Sequence, residues 1–151
     1  MKVEFTGKRL KCSSKAVVVR SFKATLKELE QIKNLSICVN IVSPSDMQEI
    51  NKNMRNIDKV TDVLSFPSFD ISPFEKVPAL NSKNVFLGDM AICMEEVERQ
   101  SKEYNESKNR VLARLVIHST LHMLGFDHIK DEDYAVMEPI QDKILDKVVK
   151  K

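Results

Sequence analysis

The chain has 151 residues, the length of one domain, and a chain of this size buries roughly 70% of its unfolded surface. Hydrophobic residues make up 42% and charged residues 30%, while the net charge of +2 is too small to argue for a nucleic-acid partner. The three cysteines, Cys12, Cys38 and Cys93, form no C-x-x-C pair, and no apolar run approaches the ~20 residues of a membrane span. We therefore expect one cytoplasmic domain over residues 1–151, without a disulfide framework or a membrane segment.

The first predicted elements are a strand, a helix and a second strand. The opening strand is short, at residues 3–5. Ser13 or Ser14 can N-cap a helix over residues 15–33, because apolar residues recur there at helical spacing. Residues 35–42 alternate apolar and polar side chains, which predicts a half-buried strand.

The middle of the chain predicts a short helix and two further strands. Ser45 and Gln48 form a capping-box pattern that opens a helix to about residue 53. Residues 60–66 and 85–93 have the composition of strands, and Gly88 predicts a bulge or a close backbone approach in the second of them. Between these two strands, residues 67–84 are rich in Pro, Ser and Asn, so we expect a long irregular loop.

Helices dominate the last third of the sequence. Two are predicted over residues 95–104 and 108–124, and Asp131 can cap a third. That third helix contains Pro139, which predicts a break or kink near Glu138. Strands and helices do not alternate strictly along the chain, and this order favours an α+β fold over a doubly wound sheet.

All three histidines, His118, His122 and His128, fall within the segment H-S-T-L-H-M-L-G-F-D-H. The first two are four residues apart, which puts both rings on one helix face with Cβ atoms roughly 5–6 Å apart. Gly125 follows where a helix needs a left-handed C-cap, so the chain can turn back and bring His128 to the same point. Three converging imidazoles predict one ion of zinc or a related metal per chain, with a fourth position left for water.

The residue after the first histidine separates this segment from a known peptidase motif. The spacing matches the metzincin motif H-E-x-x-H-x-x-G-x-x-H, in which the glutamate is the general base. Ser119 occupies that position here, and a serine hydroxyl has no basicity near neutral pH. The sequence therefore predicts a metal-dependent hydrolase site without the peptidase base.

Four further residues are candidates for the surroundings of the ion. Lys52, Arg55 and Lys59 precede a strand; close to the metal they would clamp an anion, and Arg suits bidentate phosphate contact. Away from the metal they would be a solvated face, and spacing alone leaves both interpretations open. Asp127 can orient a ligand imidazole through a hydrogen bond, or serve as an ordinary turn residue.

Four segments of the chain together resemble one family. H-S-T-L-H-M-L-G-F-D-H is similar to the H-G-x-L-H-L-x-G-Y-D-H motif of the YbeY-type single-strand-specific endoribonucleases, which are bacterial rRNA maturation factors. N-K-N-M-R, T-D-V-L-S-F-P and L-G-D-M-A-I resemble three further segments of that family, in the same order and at similar spacing. The departures are Ser119 for glycine, Met54 for an aromatic residue and Phe126 for tyrosine, none of which removes a ligand. We expect the Ser119 side chain to lie beside the ion and narrow access to it.

The resemblance implies a fold, a cofactor and an activity. The implied fold is one small α+β domain with a mixed β-sheet packed on helices and a metal site on a helix and the turn that ends it. The three histidines would bind one Zn²⁺, and Arg55 matches the family's functional arginine. The implied activity is metal-dependent cleavage of single-stranded RNA in 16S rRNA 3′-end maturation and ribosome quality control. The expected partners are therefore rRNA and ribosomal components, and not DNA.

Two alternatives remain open from the sequence. One is a metal-dependent hydrolase of another substrate class, such as a peptidase with an unusual base, against which Ser119 weighs. The other is a non-enzymatic, ribosome-associated binding module with a structural metal. An exchangeable water on the ion favours an enzyme, whereas a fourth protein ligand favours a structural site.

Overall fold

The computed structural model describes residues 1–78, 83–127 and 130–150, which form four strands and five helices. The strands are β1 (Lys2–Gly7), β2 (Leu35–Ile41), β3 (Val63–Pro67) and β4 (Val85–Ile92). The helices are α1 (Cys12–Glu28), α2 (Pro44–Arg55), α3 (Met94–Glu103), α4 (Lys108–Met123) and α5 (Asp131–Val148).

The strands form one mixed sheet in the order β1-β2-β4-β3. β1, β2 and β4 are parallel, and β3 runs antiparallel to β4 at the edge. Parallel neighbours need a crossover connection, which α1 supplies between β1 and β2. The predicted α+β class, with one mixed sheet packed on helices in a single small domain, is confirmed.

Gly88 marks a bulge in β4, as its position in the strand predicts. Ser36 of β2 pairs with Phe86, but the next residue, Ile37, pairs with Gly88, so that Leu87 is an extra residue in β4. A Cβ atom at Gly88 would stand 2.4 Å from the carbonyl oxygen of Phe66, so only glycine lets β3 approach this closely.

The main core lies on one face of the sheet, under α1, α4 and α5. Helix α4 is its centre, because side chains such as Leu112, Val116 and Leu121 are fully buried there. The opposite face is covered at one end by α2, whose Met47 packs in a smaller cluster with Leu64. The rest of that face is open, and no helix among the described residues has the length and apolarity needed to cross a bilayer.

Two helices begin earlier than the sequence predicts. Helix α1 starts at Cys12 after Lys11 and has no side-chain cap, and the Lys11 carbonyl accepts the amide N–H of Lys15 at 2.9 Å. Helix α2 starts at Pro44, where a missing N–H is harmless, and Ser43 caps it by accepting the Asp46 N–H at 3.2 Å.

Of the predicted break or kink near Glu138, the break is wrong, and the kink stays a prediction. Helix α5 runs without interruption across Pro139. Proline has no N–H for the carbonyl of Ala135, but both residues are exposed on the outer side of the helix. Water therefore has access to that carbonyl, and the helix continues.

Candidate functional site

An open groove of about 930 Å³ runs along the edge strand β3, between α4 and α5. Both described histidines of the sequence motif line it, together with side chains from α2, α5 and the turn after α4. The polar residues that matter for its chemistry are Arg55, Arg114, His118, His122, Asp127 and Gln141.

The groove owes its polar floor to a stripe on α4. From Val111 to Met123 this helix is buried, except that Arg114, His118 and His122 are each half-buried. They are spaced by four residues, so their side chains lie one above another on the same helix face. Helix α4 thus turns its apolar sides to the core and this one polar stripe to the groove.

His118 and His122 point their rings at a common position. Their Nε2 atoms are 3.0 Å apart, and the ring planes are nearly perpendicular at 83° with centroids separated by 4.5 Å. Two nitrogen ligands held at 2.0–2.1 Å from one tetrahedral zinc ion are roughly 3.3 Å apart. The observed pair is therefore close to the spacing that a shared ion requires.

The remaining ring nitrogens are held by acceptor oxygens. Nδ1 of His122 lies 2.9 Å from the Phe126 carbonyl oxygen, and Nδ1 of His118 lies 2.8 Å from Oε1 of Gln141 in α5. A carbonyl only accepts, so each contact places the proton on Nδ1 and leaves on Nε2 the lone pair that could bind a metal. This pattern is typical of histidines that coordinate a metal through Nε2.

The turn after α4 fits the predicted left-handed cap. Gly125 has a φ of +95°, its N–H donates to the His122 carbonyl at 3.0 Å, and the Phe126 N–H donates to the Leu121 carbonyl at 3.0 Å. These two bonds form a Schellman motif. The turn therefore also brings the Phe126 carbonyl back to the ring of His122.

His128, the predicted third ligand, lies outside the described residues. Within residues 1–78, 83–127 and 130–150, no three His, Cys, Asp or Glu side chains are gathered as a metal-binding group. His118 and His122 could supply two nitrogen ligands, and metal coordination by three histidines stays a prediction.

The other predicted site residues divide into two pairs. Arg55, the last residue of α2, and Asp127, in the turn, line the same groove as the histidines. Lys52 and Lys59 are exposed and do not line it. The structure thus brings Arg55 and Asp127 together with the histidine pair, but not the two lysines.

Arg114 is a groove residue that the sequence reasoning missed, although its spacing of four from His118 was visible. Its guanidinium hydrogen-bonds to Glu106 and holds the pKa of that carboxyl below its ordinary value, while burial acts in the opposite direction. Arg55 differs, because it forms no ion pair within the part of the chain that the structure describes. Gln141 was also missed, since its role depends on how α5 packs against α4.

Ser119 does not lie where the sequence analysis expects it. The side chain is fully buried, and its Oγ is 2.6 Å from Oγ of Ser65 in β3. It joins α4 to the edge strand and does not line the groove. The expected narrowing of access to an ion by Ser119 is therefore wrong.

The family model of endoribonuclease YbeY matches residues 3–149, nearly the whole chain. The chain belongs to this family. An endoribonuclease YbeY of Caldicellulosiruptor bescii is 38% identical over 131 residues, covering 85% of this chain and 83% of the relative. Another, from Clostridium kluyveri, is 36% identical over 157 residues and covers 97% and 93%.

The fold is also similar to a solved structure. The solution structure of TM1509 from Thermotoga maritima has a TM-score of 0.65 to this chain at 24% identity, covering 97% of this chain and 88% of the other. At that identity the likeness concerns the fold alone.

Three of the four segments that resemble the YbeY family line the groove. T-D-V-L-S-F-P supplies its β3 wall, N-K-N-M-R ends in Arg55 at its rim, and the described part of the histidine segment, residues 118–127, contributes its floor. L-G-D-M-A-I lies in β4, beside β3. Segments far apart in the sequence thus belong to one continuous region of this YbeY-family fold.

Proposed function

We propose that this protein is a zinc-dependent endoribonuclease that cleaves single-stranded RNA in the cytoplasm, acting in 16S rRNA 3′-end maturation and ribosome quality control. The observation that carries the proposal is the pair of facing Nε2 atoms of His118 and His122, 3.0 Å apart in a groove that Arg55 also lines. Membership of the endoribonuclease YbeY family supports the substrate class.

In this mechanism His118, His122 and His128 would hold one zinc ion. When bound, the ion would supply a water of lowered pKa and an electrophile for a phosphoryl oxygen. Gln141 and the Phe126 carbonyl keep the protons on the far side of the two described rings. The chain thereby provides a rigid nitrogen set and does not have to reorganise when phosphate arrives.

Arg55 would orient the phosphodiester and stabilise the charge that builds on it. A guanidinium offers paired N–H donors that match two phosphate oxygens. Arg55 is exposed and ends α2 at the rim, where an RNA backbone has access to it. Arg114, held by Glu106, adds positive charge farther along the histidine stripe.

A peptidase reaction fits the groove less well. The position of the metzincin glutamate is filled by Ser119, whose hydroxyl is buried and hydrogen-bonded to Ser65. It is therefore neither basic nor exposed to a water in the groove. The groove therefore has an arginine that suits a phosphate, but it has no glutamate at the position of the metzincin base.

The test is a comparison of substrates with matched variants. Purified zinc-loaded protein is incubated with labelled single-stranded RNA, duplex RNA, single-stranded DNA and casein. We expect cleavage of single-stranded RNA only, and loss of both cleavage and stoichiometric zinc in His122→Ala. Proteolysis without RNA cleavage, or full zinc content in His122→Ala by elemental analysis, would reject the proposal. Depletion in the cell should lead to 16S rRNA with unprocessed 3′ ends.

A further inference from the structure

A second hollow, of about 370 Å³, lies on the open face of the sheet and adjoins the groove. Met54 and Phe66 line both spaces, so only the edge of β3 and the end of α2 separate them. Cys38, Asp89 and Phe66 are direct neighbours across β2, β4 and β3, and therefore share this face. Ile50 of α2 contributes to one side.

The lining combines an apolar surface with a few polar groups. Ile50, Met54 and Phe66 are apolar, while Thr6, Asn40 and Asp89 offer a hydroxyl, an amide and a carboxylate. Such a mixture is typical of small-molecule sites, in which a few polar groups fix the orientation of the ligand.

The negative charge of this lining makes the hollow unsuitable for the phosphate of a nucleotide. No lysine or arginine lines the hollow, and within the described residues none forms an ion pair with Asp89. An exposed carboxylate without a cation repels a phosphate and accepts N–H donors. The hollow therefore suits the neutral end of a nucleotide and not its phosphate.

We propose that the hollow receives one nucleobase of the RNA strand whose backbone lies in the groove, with guanine preferred. The proposal rests on the proposed function, because it assigns a base subsite to that same RNA substrate. Guanine carries two adjacent N–H donors on its pairing edge, which match the two oxygens of Asp89. Adenine and cytosine place an acceptor nitrogen beside their amino group, and uracil has one N–H between two carbonyl groups.

The groove and the hollow adjoin each other, so one RNA strand can place its backbone in the groove and a base in the hollow. Arg55, the candidate phosphate ligand, directly follows Met54 in the chain. The proposed phosphate contact in the groove is therefore one residue away from a side chain that lines the hollow. The Met54 side chain is 63% exposed, although it is apolar, and a flexible thioether suits contact with a base that passes over it. Phe66 offers an aromatic ring, and RNA recognition commonly stacks unpaired bases on such rings while hydrogen bonds select their edges.

Glu4 provides a matched control for Asp89. It pairs with Cys38 across β1 and β2, lies exposed on the same face, and forms an ion pair with Lys2 at 2.9 Å. It does not line the hollow. Glu4→Gln therefore removes one carboxylate from the same sheet face without touching the proposed base site.

The experiment measures the binding of fluorescein-labelled six-nucleotide RNAs to the metal-stripped full chain, so that cleavage does not interfere. One RNA is all uridine, and the others carry a single G, A or C at each position in turn. We expect G at one position to tighten binding at least about fivefold over every other base, the lower end for a bidentate base contact. Asp89→Asn should bring this ratio close to one, and Glu4→Gln should leave it unchanged.

A photocrosslink gives an independent readout that does not depend on one variant. RNA with 6-thioguanosine at the preferred position should crosslink to peptides of α2, β2 or β4, identified by mass spectrometry. Crosslinks confined to peptides of α5 or α3 would place the base elsewhere and overturn the proposal.

The outcomes separate this proposal from the proposed function. Equal binding of all the RNAs by a wild-type protein that cleaves RNA would overturn the base site and leave the nuclease assignment intact. A wild-type protein that neither binds nor cleaves RNA would overturn both. A guanine preference that survives in Asp89→Asn, or an Asp89-dependent protein partner with no guanine preference, would also overturn the base site.

Discussion

Arg55 and Arg114 bring two guanidinium groups to one groove, and only Arg114 is held by a carboxylate. Glu106 hydrogen-bonds to Arg114, whereas Arg55 has no ion pair in residues 1–78, 83–127 and 130–150. An arginine already paired has its donors partly used, so a phosphate gains less from it. We therefore assign the reacting phosphate to Arg55 and a supporting charge to Arg114.

This difference predicts the behaviour of Arg55 variants. Arg55→Ala should lower RNA cleavage by about 10²–10³-fold, the effect of removing one preorganised electrostatic donor. Arg55→Lys should restore only part of the rate, because an ammonium group cannot make the bidentate contact. Cleavage assays and elemental analysis check this, with zinc content and thermal stability nearly unchanged. Wild-type rates in Arg55→Ala would make it an ordinary surface residue, provided that His118→Ala is inactive in the same preparation.

Gln141 yields a prediction about metal affinity that does not depend on turnover. Its Oε1 accepts from Nδ1 of His118 at 2.8 Å, so Gln141→Leu should weaken zinc binding by about 10–100-fold, as loss of such a partner commonly does. Gln141→Glu should bind zinc at least as tightly as the wild type, since a carboxylate is a stronger acceptor for the same N–H. Competition with a chromophoric chelator measures both affinities. Equal affinity in all three proteins would show that the contact does not orient the ring.

At the scale of elements, the end of α4 shows what sequence can predict. The apolar run, the spacing of four between histidines and the glycine after them specify a helix, a shared face and a left-handed cap, and all three are present. These features are local, because they depend on residues within one or two turns. The Gln141 contact was unpredictable for the opposite reason, since it joins two helices whose packing the local pattern does not encode.

The difference between local pattern and tertiary packing also explains the wrong predictions for the starts of α1 and α2 and for Pro139 in α5. Serine is a good cap at Ser13, Ser14, Ser43 or Ser45, and local preference does not choose among them. In the structure Ser43 caps α2, and no serine side chain caps α1. Pro139 has an unfavourable local propensity, but it lies on the exposed side of a helix whose inner side is anchored by buried residues such as Ile144. Tertiary packing outweighs the local penalty there.

Substitution of Gly125 tests whether the turn after α4 is sterically restricted to glycine. A Cβ atom there would stand 2.2 Å from the Ile71 carbonyl oxygen, and φ is +95°, so Gly125→Ala should lower the free energy of unfolding by at least about 1–3 kcal/mol. Urea denaturation of the metal-free protein measures the change. Asn105 occupies the equivalent position after α3 with a φ of +52°, and Asn105→Gly should change stability by less than about 0.5 kcal/mol. Similar small effects at both positions would contradict the claim that the turn is sterically restricted.

At the scale of the molecule, ion pairs connect elements that are distant in sequence. Glu28 of α1 meets Lys143 and Lys147 of α5 at 2.6 and 2.9 Å, and Glu95 of α3 meets Lys8 at 2.9 Å. The net charge of +2 gives no indication of these pairs. Only the fold determines where the charged side chains lie. It brings these pairs together from different elements, and it places Arg55 at the groove.

These pairs predict how stability responds to acid. Hydrogen bonds from the lysines hold the pKa of Glu28 below its ordinary value of 4.5, and Arg114 does the same for Glu106. A carboxyl whose pKa is lowered by folding contributes stability that is fully present above the unfolded-state pKa and is lost as the pH falls through the folded-state pKa. The free energy of unfolding of the metal-free protein should therefore decline as the pH is lowered from about 5.5 to 3.5. Urea titrations at several pH values measure this decline.

Matched glutamine variants identify the groups responsible. Glu28→Gln and Glu106→Gln should each be less stable than the wild type at pH 5.5. The difference should shrink towards pH 3.5, because the unfolded wild-type chain takes up a proton that the folded carboxyl, with its lowered pKa, resists. Both side chains are about one-fifth exposed, whereas Glu30 is 88% exposed and only 4.0 Å from Lys76. Glu30→Gln should therefore follow the wild type at every pH, since solvent screens so exposed a pair. A Glu30→Gln effect as large as that of Glu28→Gln would mean that overall charge, rather than these particular contacts between elements, governs the acid response.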